Sequence, residues 1–152
     1  MQKTSAGILM FKRAAGELLV LLVHPGGPFW KNRDDGAWTI PKGELGADEE
    51  PSLAARREFE EEMGVDPGGH LMPLDEITQK GGKRVIAFAV EGDFDVASLH
   101  SNTFETEWPP HSGRVQIFPE VDKAEWMTIT RARGKILPSQ IKLLERLVRM
   151  TT

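Results

Sequence analysis

The decisive stretch of this sequence, residues 43–65, reads GELGADEEPSLAARREFEEEMGV. The acids at 48–50 directly precede Pro51, and both acidic side chains and proline are favoured where a helix begins. Gly64 supplies the left-handed residue that commonly follows the last helical turn. The stretch therefore predicts a helix over residues 51–63.

The predicted helix carries glutamates on one arc and apolar side chains on the next. At about 100° per residue, Glu58, Glu61 and Glu62 fall within roughly a 100° arc. The apolar side chains of the adjoining arc are Ala55, Phe59 and Met63. Glutamates three or four residues apart repel one another, and Arg57 alone cannot neutralise them. A solvated acidic helix is one interpretation; a site for a divalent cation, with room for water and phosphates, is the other.

The spacing of residues 43–65 favours the cation site. Gly43 is followed by five residues, Glu49, seven more residues and then REFEEEMGV, which starts at Arg57. This order matches the Nudix box at every required position. Seven fixed identities coincide by chance in on the order of one window in a hundred million. The sequence is therefore identified, by resemblance, as a member of the Nudix hydrolase family.

The resemblance implies an α/β fold, a Nudix-like α/β/α sandwich around a mixed β-sheet, formed by one domain over residues 1–152. The rest of the chain agrees with this expectation. Alternating or apolar runs between turn residues predict strands at 5–11, 18–24, 37–40, 76–79, 85–90, 114–118 and 124–128. Apolar positions at helical spacing predict a terminal amphipathic helix over 139–150.

The resemblance also implies an activity. Nudix-type pyrophosphohydrolases use Mg²⁺ or Mn²⁺ to cleave a phosphoanhydride bond in a nucleoside diphosphate-linked substrate. The Trp-x-x-Pro-Lys-Gly order from Trp38 to Gly43 resembles members that act on dinucleoside polyphosphates or diphosphoinositol phosphates, so dinucleoside polyphosphates are the first substrates to test. The alternative is a non-catalytic Nudix-like module that binds a nucleotide or regulates a partner.

Residue by residue, the resemblance implies a catalytic group within the box. Glu58 and Glu62 would be metal ligands, Glu61 a ligand or the base that orients water, and Arg57 the residue that holds a glutamate in place. The backbone carbonyl near Lys42 or Gly43 would complete the metal site.

Many family members add an acid from outside the box. Glu120 resembles that residue best, because it precedes the strand that leads to the final helix. Glu105 and Glu107 are rivals for the same role. A plain loop acid is an equal interpretation of Glu120.

Six side chains outside the acidic helix are candidate substrate contacts: Lys42, Trp30, Lys83, Arg84, Trp108 and Arg114. Lys42 would meet a phosphate. Trp30 would stack on a base or, with Phe29, pin its loop to the sheet. The basic residues at 83–84 would contact further phosphates or remain solvated at a hairpin end. Trp108, His111 and Arg114, in the proline-containing segment, would form another substrate wall. The other histidines, His24, His70 and His100, show no metal-ligand spacing with one another.

Bulk composition limits the class of protein. The 152 residues are 39% hydrophobic and 28% charged, which is typical of one soluble globular domain. The sequence lacks cysteine, so disulfides and thiolate metal sites are excluded and oxygen ligands for Mg²⁺ or Mn²⁺ are favoured. A net charge of −4 argues against general nucleic-acid binding. No apolar run predicts a membrane span or a signal peptide, so we expect a cytoplasmic protein with a small-molecule partner; the sequence does not indicate an oligomeric state.

Overall fold

A six-stranded mixed sheet forms the centre of the protein, whose computed structural model describes residues 3–152; residues 1 and 2 of the expected domain lie outside that description. The strands of this sheet are β1 (Thr4–Ala14), β2 (Glu17–Pro25), β3 (Lys42–Glu44), β4 (Met72–Thr78), β5 (Arg84–Glu91) and β8 (Val121–Thr128). Their order in the sheet is β4-β5-β1-β2-β8, and the short β3 pairs with β1. Strands β1 and β5 run parallel, and the other pairs are antiparallel.

Two further strands form a separate hairpin between β5 and β8. They are β6 (Thr103–Glu107) and β7 (Val115–Pro119), which pair antiparallel. The helices are α1 (Pro51–Met63), α2 (Ile129–Lys135) and α3 (Ile141–Thr151), with 3₁₀ turns at Val96–Ser98 and Pro138–Gln140.

The alternating side chains of β1 show how the layers are built. Ile8 and Met10 belong to a buried cluster with Phe59 of α1. On the opposite face of the strand, Leu9 packs in a second cluster that includes Leu143 of α3. Because successive residues of a strand point to opposite faces, one strand supplies both cores. The expected α/β/α sandwich around a mixed sheet is confirmed.

The segment 37–40 differs from its prediction as a strand. Thr39 pairs with Val23, whereas Trp38 pairs with Ile136, so the segment makes two isolated bridges to different elements. Strand geometry needs consecutive pairing to one neighbour, which this segment lacks. Helix α2 was not predicted, and the proline-broken residues before β7 contain the unexpected strand β6. Within residues 3–152, no helix has the length and apolarity needed to cross a membrane.

Candidate active site

Helix α1 is fixed at both ends and along its apolar face. The Glu50 carboxylate accepts a hydrogen bond from the Leu53 backbone N–H, which caps the first turn. Gly64 adopts φ 91°, and its N–H closes the last turn on the Glu60 carbonyl. Phe59 is fully buried against the sheet. This burial sets the rotation of the helix, and the rotation determines where the glutamates project.

Arg57 joins the helix to the loop that precedes it. Its Nε and Nη2 donate to the Glu49 carboxylate, both at 2.9 Å. Its Nη1 donates to Glu58 Oε1 at 2.8 Å and to Glu61 at 3.3 Å. The hydrogen bonds from Arg57 hold the pKa of Glu49 down to about 2. The guanidinium therefore fixes three carboxylates at once, as its planar fork allows.

Gly43 lies directly against the carboxyl group of Glu58. A Cβ added at Gly43 would be 2.0 Å from the Glu58 carboxyl carbon, a distance at which atoms overlap. Only glycine leaves room for this side chain beside the backbone of β3. Burial raises the pKa of Glu58, an effect that the Arg57 hydrogen bond opposes.

A cavity of about 240 Å³ lies beside Glu62. Lys42, Glu120 and Trp30 also line it. Burial raises the pKa of Glu62 to about 8, although the nearby Lys42 charge acts in the opposite direction. Burial, followed by repulsion from Lys83, lowers the pKa of Lys42. A carboxylate and an ammonium group thus share one poorly solvated space.

Glu120 lines the same cavity, and burial, followed by the charge of Glu61, raises its pKa. Backbone hydrogen bonds hold it in place: its N–H donates to the Asn102 carbonyl at 2.8 Å, and the Asn102 N–H donates to the Glu61 carbonyl at 2.9 Å. The rivals lie elsewhere. Glu107 accepts from backbone amides of the hairpin turn, and Glu105 is exposed on β6.

These side chains suit a hard divalent cation by their chemistry. Glu58, Glu61, Glu62 and Glu120 offer carboxylate oxygens, and the backbone near Gly43 offers a carbonyl, which are the donors that Mg²⁺ and Mn²⁺ accept. Two of these carboxylates, Glu58 and Glu62, are buried, and a buried anion gains from a bound cation. As placed, no three acidic or histidine side chains of residues 3–152 converge on one ion position.

The other candidate contacts divide into two groups. Trp30 and Lys42 line the cavity, and Lys83 lies near it, 4.0 Å from Glu44. Arg84 instead pairs with Glu76 on the neighbouring strand. Trp108 and Arg114 lie across the turn of the β6–β7 hairpin from each other, where the Trp108 N–H donates to the Arg114 carbonyl. The Trp108 ring packs edge-on against Phe29, with ring centroids 5.4 Å apart.

His24 has a structural role that sequence reasoning missed. This buried ring hydrogen-bonds the Asp122 carboxylate through Nδ1 at 2.8 Å and the Arg33 carbonyl through Nε2 at 2.6 Å. It therefore ties the loop 26–36, which carries Phe29 and Trp30, to strands β2 and β8. A histidine at the end of a buried strand, before a glycine-rich loop, was the available signal.

Comparisons with known proteins identify the family of this chain. The sequence model of the NUDIX domain matches residues 1–147. Among curated protein sequences, none matches the chain significantly. Similar solved structures include a C. elegans Ap4A hydrolase binary complex, at 21% identity and TM-score 0.66, with 97% of each chain covered.

Two other solved structures are similar in fold. The NUDIX domain of Shewanella oneidensis NrtR, complexed with ADP ribose, has 17% identity and TM-score 0.68 over 100% of this chain and 90% of that chain. A MutT structure, from work on Aliivibrio salmonicida and Vibrio cholerae, has 15% identity and TM-score 0.58 over 97% and 96%. At such identities these likenesses show the fold alone. The NUDIX model covers nearly the whole chain, which confirms the resemblance of residues 43–65, and the chain belongs to the Nudix family of hydrolases.

Proposed function

We propose that this protein hydrolyses a phosphoanhydride bond in a nucleoside diphosphate-linked substrate, acting as a single cytoplasmic domain with Mg²⁺ or Mn²⁺. One observation carries the proposal: Lys42, Glu62 and Glu120 line a single cavity, next to the Glu58 carboxylate that lies against Gly43. Oxygen ligands and a cationic group for a phosphate are therefore adjacent. Family members generally use divalent metal ions.

We assign metal binding and phosphate binding to different residues. Glu58, Glu62 and Glu120 would hold the metal, together with the backbone carbonyl of Gly43. When bound, the ion neutralises phosphate charge and lowers the pKa of a bound water. Lys42 binds a phosphate oxygen of the substrate.

We assign Glu61 as the group that accepts the proton from the attacking water, because its side chain is partly exposed, whereas Glu58 and Glu62 are buried. Arg57 keeps Glu61 and Glu58 oriented through its hydrogen bonds to both. The attack breaks the phosphorus–oxygen bond of the anhydride and leaves two phosphate-containing products.

We propose dinucleoside polyphosphates as the first substrate class. The Trp-x-x-Pro-Lys-Gly order, which ends at Gly43, supports this choice, and the fold is similar to that of a C. elegans protein described as an Ap4A hydrolase. ADP-ribose is the second substrate that we propose to test, because a Nudix domain of similar fold was solved with that ligand.

A product-release assay tests the proposal. The purified chain is incubated with Mg²⁺ or Mn²⁺ and a panel of dinucleoside polyphosphates, ADP-ribose, nucleotide sugars, oxidised nucleotides and inositol pyrophosphates, and products are separated by chromatography. We expect cleavage of at least one class, abolished by a chelator. Binding without cleavage across the panel would identify the alternative, a nucleotide-binding or regulatory module, and would refute the enzyme.

The catalytic assignment of Glu61 is tested by Glu61→Gln. Loss of a general base lowers the rate by about 10²- to 10⁴-fold, and we expect a fall in kcat of that size. Glu60→Gln is the matched control, since Glu60 is exposed on the same helix, whereas Arg57 donates to Glu61 and Glu58. Near-normal turnover by Glu61→Gln, with unchanged circular dichroism, would remove Glu61 from the mechanism.

A further inference from the structure

A second cavity lies between the loop 26–36 and the β6–β7 hairpin. We call the first cavity, which Lys42, Glu62 and Glu120 line, the carboxylate cavity or carboxylate site. The volume of the second cavity is about 400 Å³, within the roughly 300–1,000 Å³ of small-molecule pockets. Its walls include the rings of Trp108 and Phe118 and the backbone of Gly27. Helix α1 contributes no residue to this lining. We refer to this space as the hairpin cavity.

The hairpin cavity is adjacent to the carboxylate site along the chain and through hydrogen bonds. Pro119 lines the hairpin cavity, and the next residue, Glu120, lines the carboxylate cavity. The Gly26 N–H donates to the Glu120 carbonyl at 2.9 Å. The two cavities are therefore lined by consecutive residues at the base of the hairpin.

The two walls of the hairpin cavity are fixed against each other. A Cβ added at Gly26 would be 1.9 Å from the Pro119 carbonyl oxygen, so the loop and the hairpin are in direct backbone contact. A Cβ at Gly27 would be 2.8 Å from the Phe104 ring. The Phe29 and Trp108 rings pack edge to face, so the loop and the hairpin are also in side-chain contact. The space is thus largely formed before a ligand binds.

The lining chemistry fits a flat aromatic ligand with a polar edge. Trp108 and Phe118 offer rings, and stacking on aromatic side chains tolerates every base. The two charged side chains of the lining, Lys31 and Asp122, are of opposite sign. The hairpin cavity therefore lacks the cationic excess that a phosphate requires, in contrast to the pair Lys42 and Lys83 beside the carboxylates.

The side-chain amide of Gln116, which lines the hairpin cavity, has a defined orientation. Its Nε2 donates to the Trp108 carbonyl at 2.6 Å, and a carbonyl only accepts, so the amide orientation is fixed. Oε1 has no hydrogen-bond partner within the part of the chain described here. It remains an acceptor for an N–H donor of a ligand. An exocyclic amine of a nucleobase is such a donor.

We propose that the hairpin cavity binds a nucleobase bearing an exocyclic amine, as adenine does, while the phosphates of the same substrate lie over Lys42. This assignment rests on the proposed function for the identity of the substrate. Trp108 and Phe118 select a planar ring, and Gln116 selects the amine.

Calorimetric titration without metal, using the full chain and adenosine 5′-monophosphate, measures the site apart from hydrolysis. We expect binding of this nucleotide to exceed that of uridine 5′-monophosphate and of ribose 5-phosphate. Trp108→Leu should weaken it by roughly 5- to 150-fold, the contribution of one base–aromatic stack. Gln116→Leu should weaken it by about 2- to 12-fold, the value of one hydrogen bond, with little effect on uridine 5′-monophosphate.

Ile117→Ala is the matched control. Ile117 lies between Gln116 and Phe118 on β7, on the opposite face, and is 64% exposed; its replacement should leave affinity unchanged. In turnover assays, the Trp108 and Gln116 variants should raise KM and preserve kcat. Hydrolysis with unaltered KM and nucleotide affinity in both variants overturns the cavity assignment and leaves the enzyme intact. Variant-sensitive binding without any hydrolysis supports the cavity and refutes the enzyme. Absence of measurable nucleotide binding overturns the cavity assignment.

Discussion

Helix α1 and the β6–β7 hairpin both adjoin the candidate site, and they are held in different ways. The helix buries Phe59 and fixes its acids through the side-chain bonds of Arg57. The hairpin is held at its base by backbone hydrogen bonds at Asn102 and Glu120, and most of its side chains are exposed. Local side-chain hydrogen bonds therefore fix the groups that we propose to react, whereas chain topology places the surface that we propose selects the substrate.

Among changes outside the glutamates themselves, Gly43→Ala has the largest expected effect on the helix side. The added methyl group overlaps the Glu58 carboxyl group and displaces it from the backbone of β3. A misplacement of about 1 Å in a catalytic group can lower the rate by ~10²-fold, so we expect kcat to fall by at least that factor. Steady-state kinetics with the best substrate of the panel measures it.

The control is Gly134→Ala in α2, where an added Cβ meets no atom within 4 Å. That variant should keep full activity and gain up to about 1 kcal/mol of stability, because alanine is favoured over glycine in a helix. Equal activities of the two variants would contradict a role for the Gly43 contact.

Arg57→Lys is expected to have the next largest effect. Lysine cannot reproduce the fork that bonds Glu49, Glu58 and Glu61 together. Replacing a residue that orients catalytic ligands typically costs about 10- to 100-fold, and we expect kcat to fall within that range while KM changes little. Its neighbour Arg56 donates to the Gly68 and Gly69 carbonyls instead. Arg56→Lys should therefore retain kcat, and an equal loss in both variants would show that the Arg57 network has no special part.

His24→Asn tests the substrate side and should have the smallest effect. Without its bonds to Asp122 and Arg33, the loop 26–36 is less firmly held, so we expect KM to rise about threefold to tenfold with kcat preserved, a cost comparable to one or two hydrogen bonds. His70→Asn, at an exposed histidine, is the control. A fall in kcat in the His24 variant would contradict the expectation that changes near helix α1 affect kcat and changes in the loop and hairpin affect KM.

The sequence was most informative where structure is local. The helix Pro51–Met63 has the bounds that Pro51 and Gly64 predict, because proline preference and glycine capping act within a few residues. The prediction that one arc carries the acids depends only on helical geometry. The resemblance of residues 43–65 then added the fold of the whole chain, which is confirmed. The roles of the individual glutamates stay predictions.

The features that the sequence does not predict depend on contacts between residues that lie far apart in the chain. Nothing near Gly26 in the sequence indicates that its backbone meets Pro119, more than ninety residues later. A strand is predicted at 114–118, which includes Gln116 and Phe118, but Pro109, Pro110 and Gly113 interrupt the residues before it and obscure its pairing with β6. His24 shows no metal-ligand spacing with other histidines, and its partner Asp122 lies 98 residues away, although Arg33 lies only nine residues away.

The backbone hydrogen bond between the Glu120 N–H and the Asn102 carbonyl brings the two ends of the segment 103–119 together. A segment closed at its base in this way can change length and composition at small cost, since doubling a loop adds only about 0.6 kcal/mol of closure entropy. The hairpin is therefore an exchangeable module. We expect that a different hairpin, transplanted between these two residues, would change substrate selectivity while the carboxylates of helix α1 are retained.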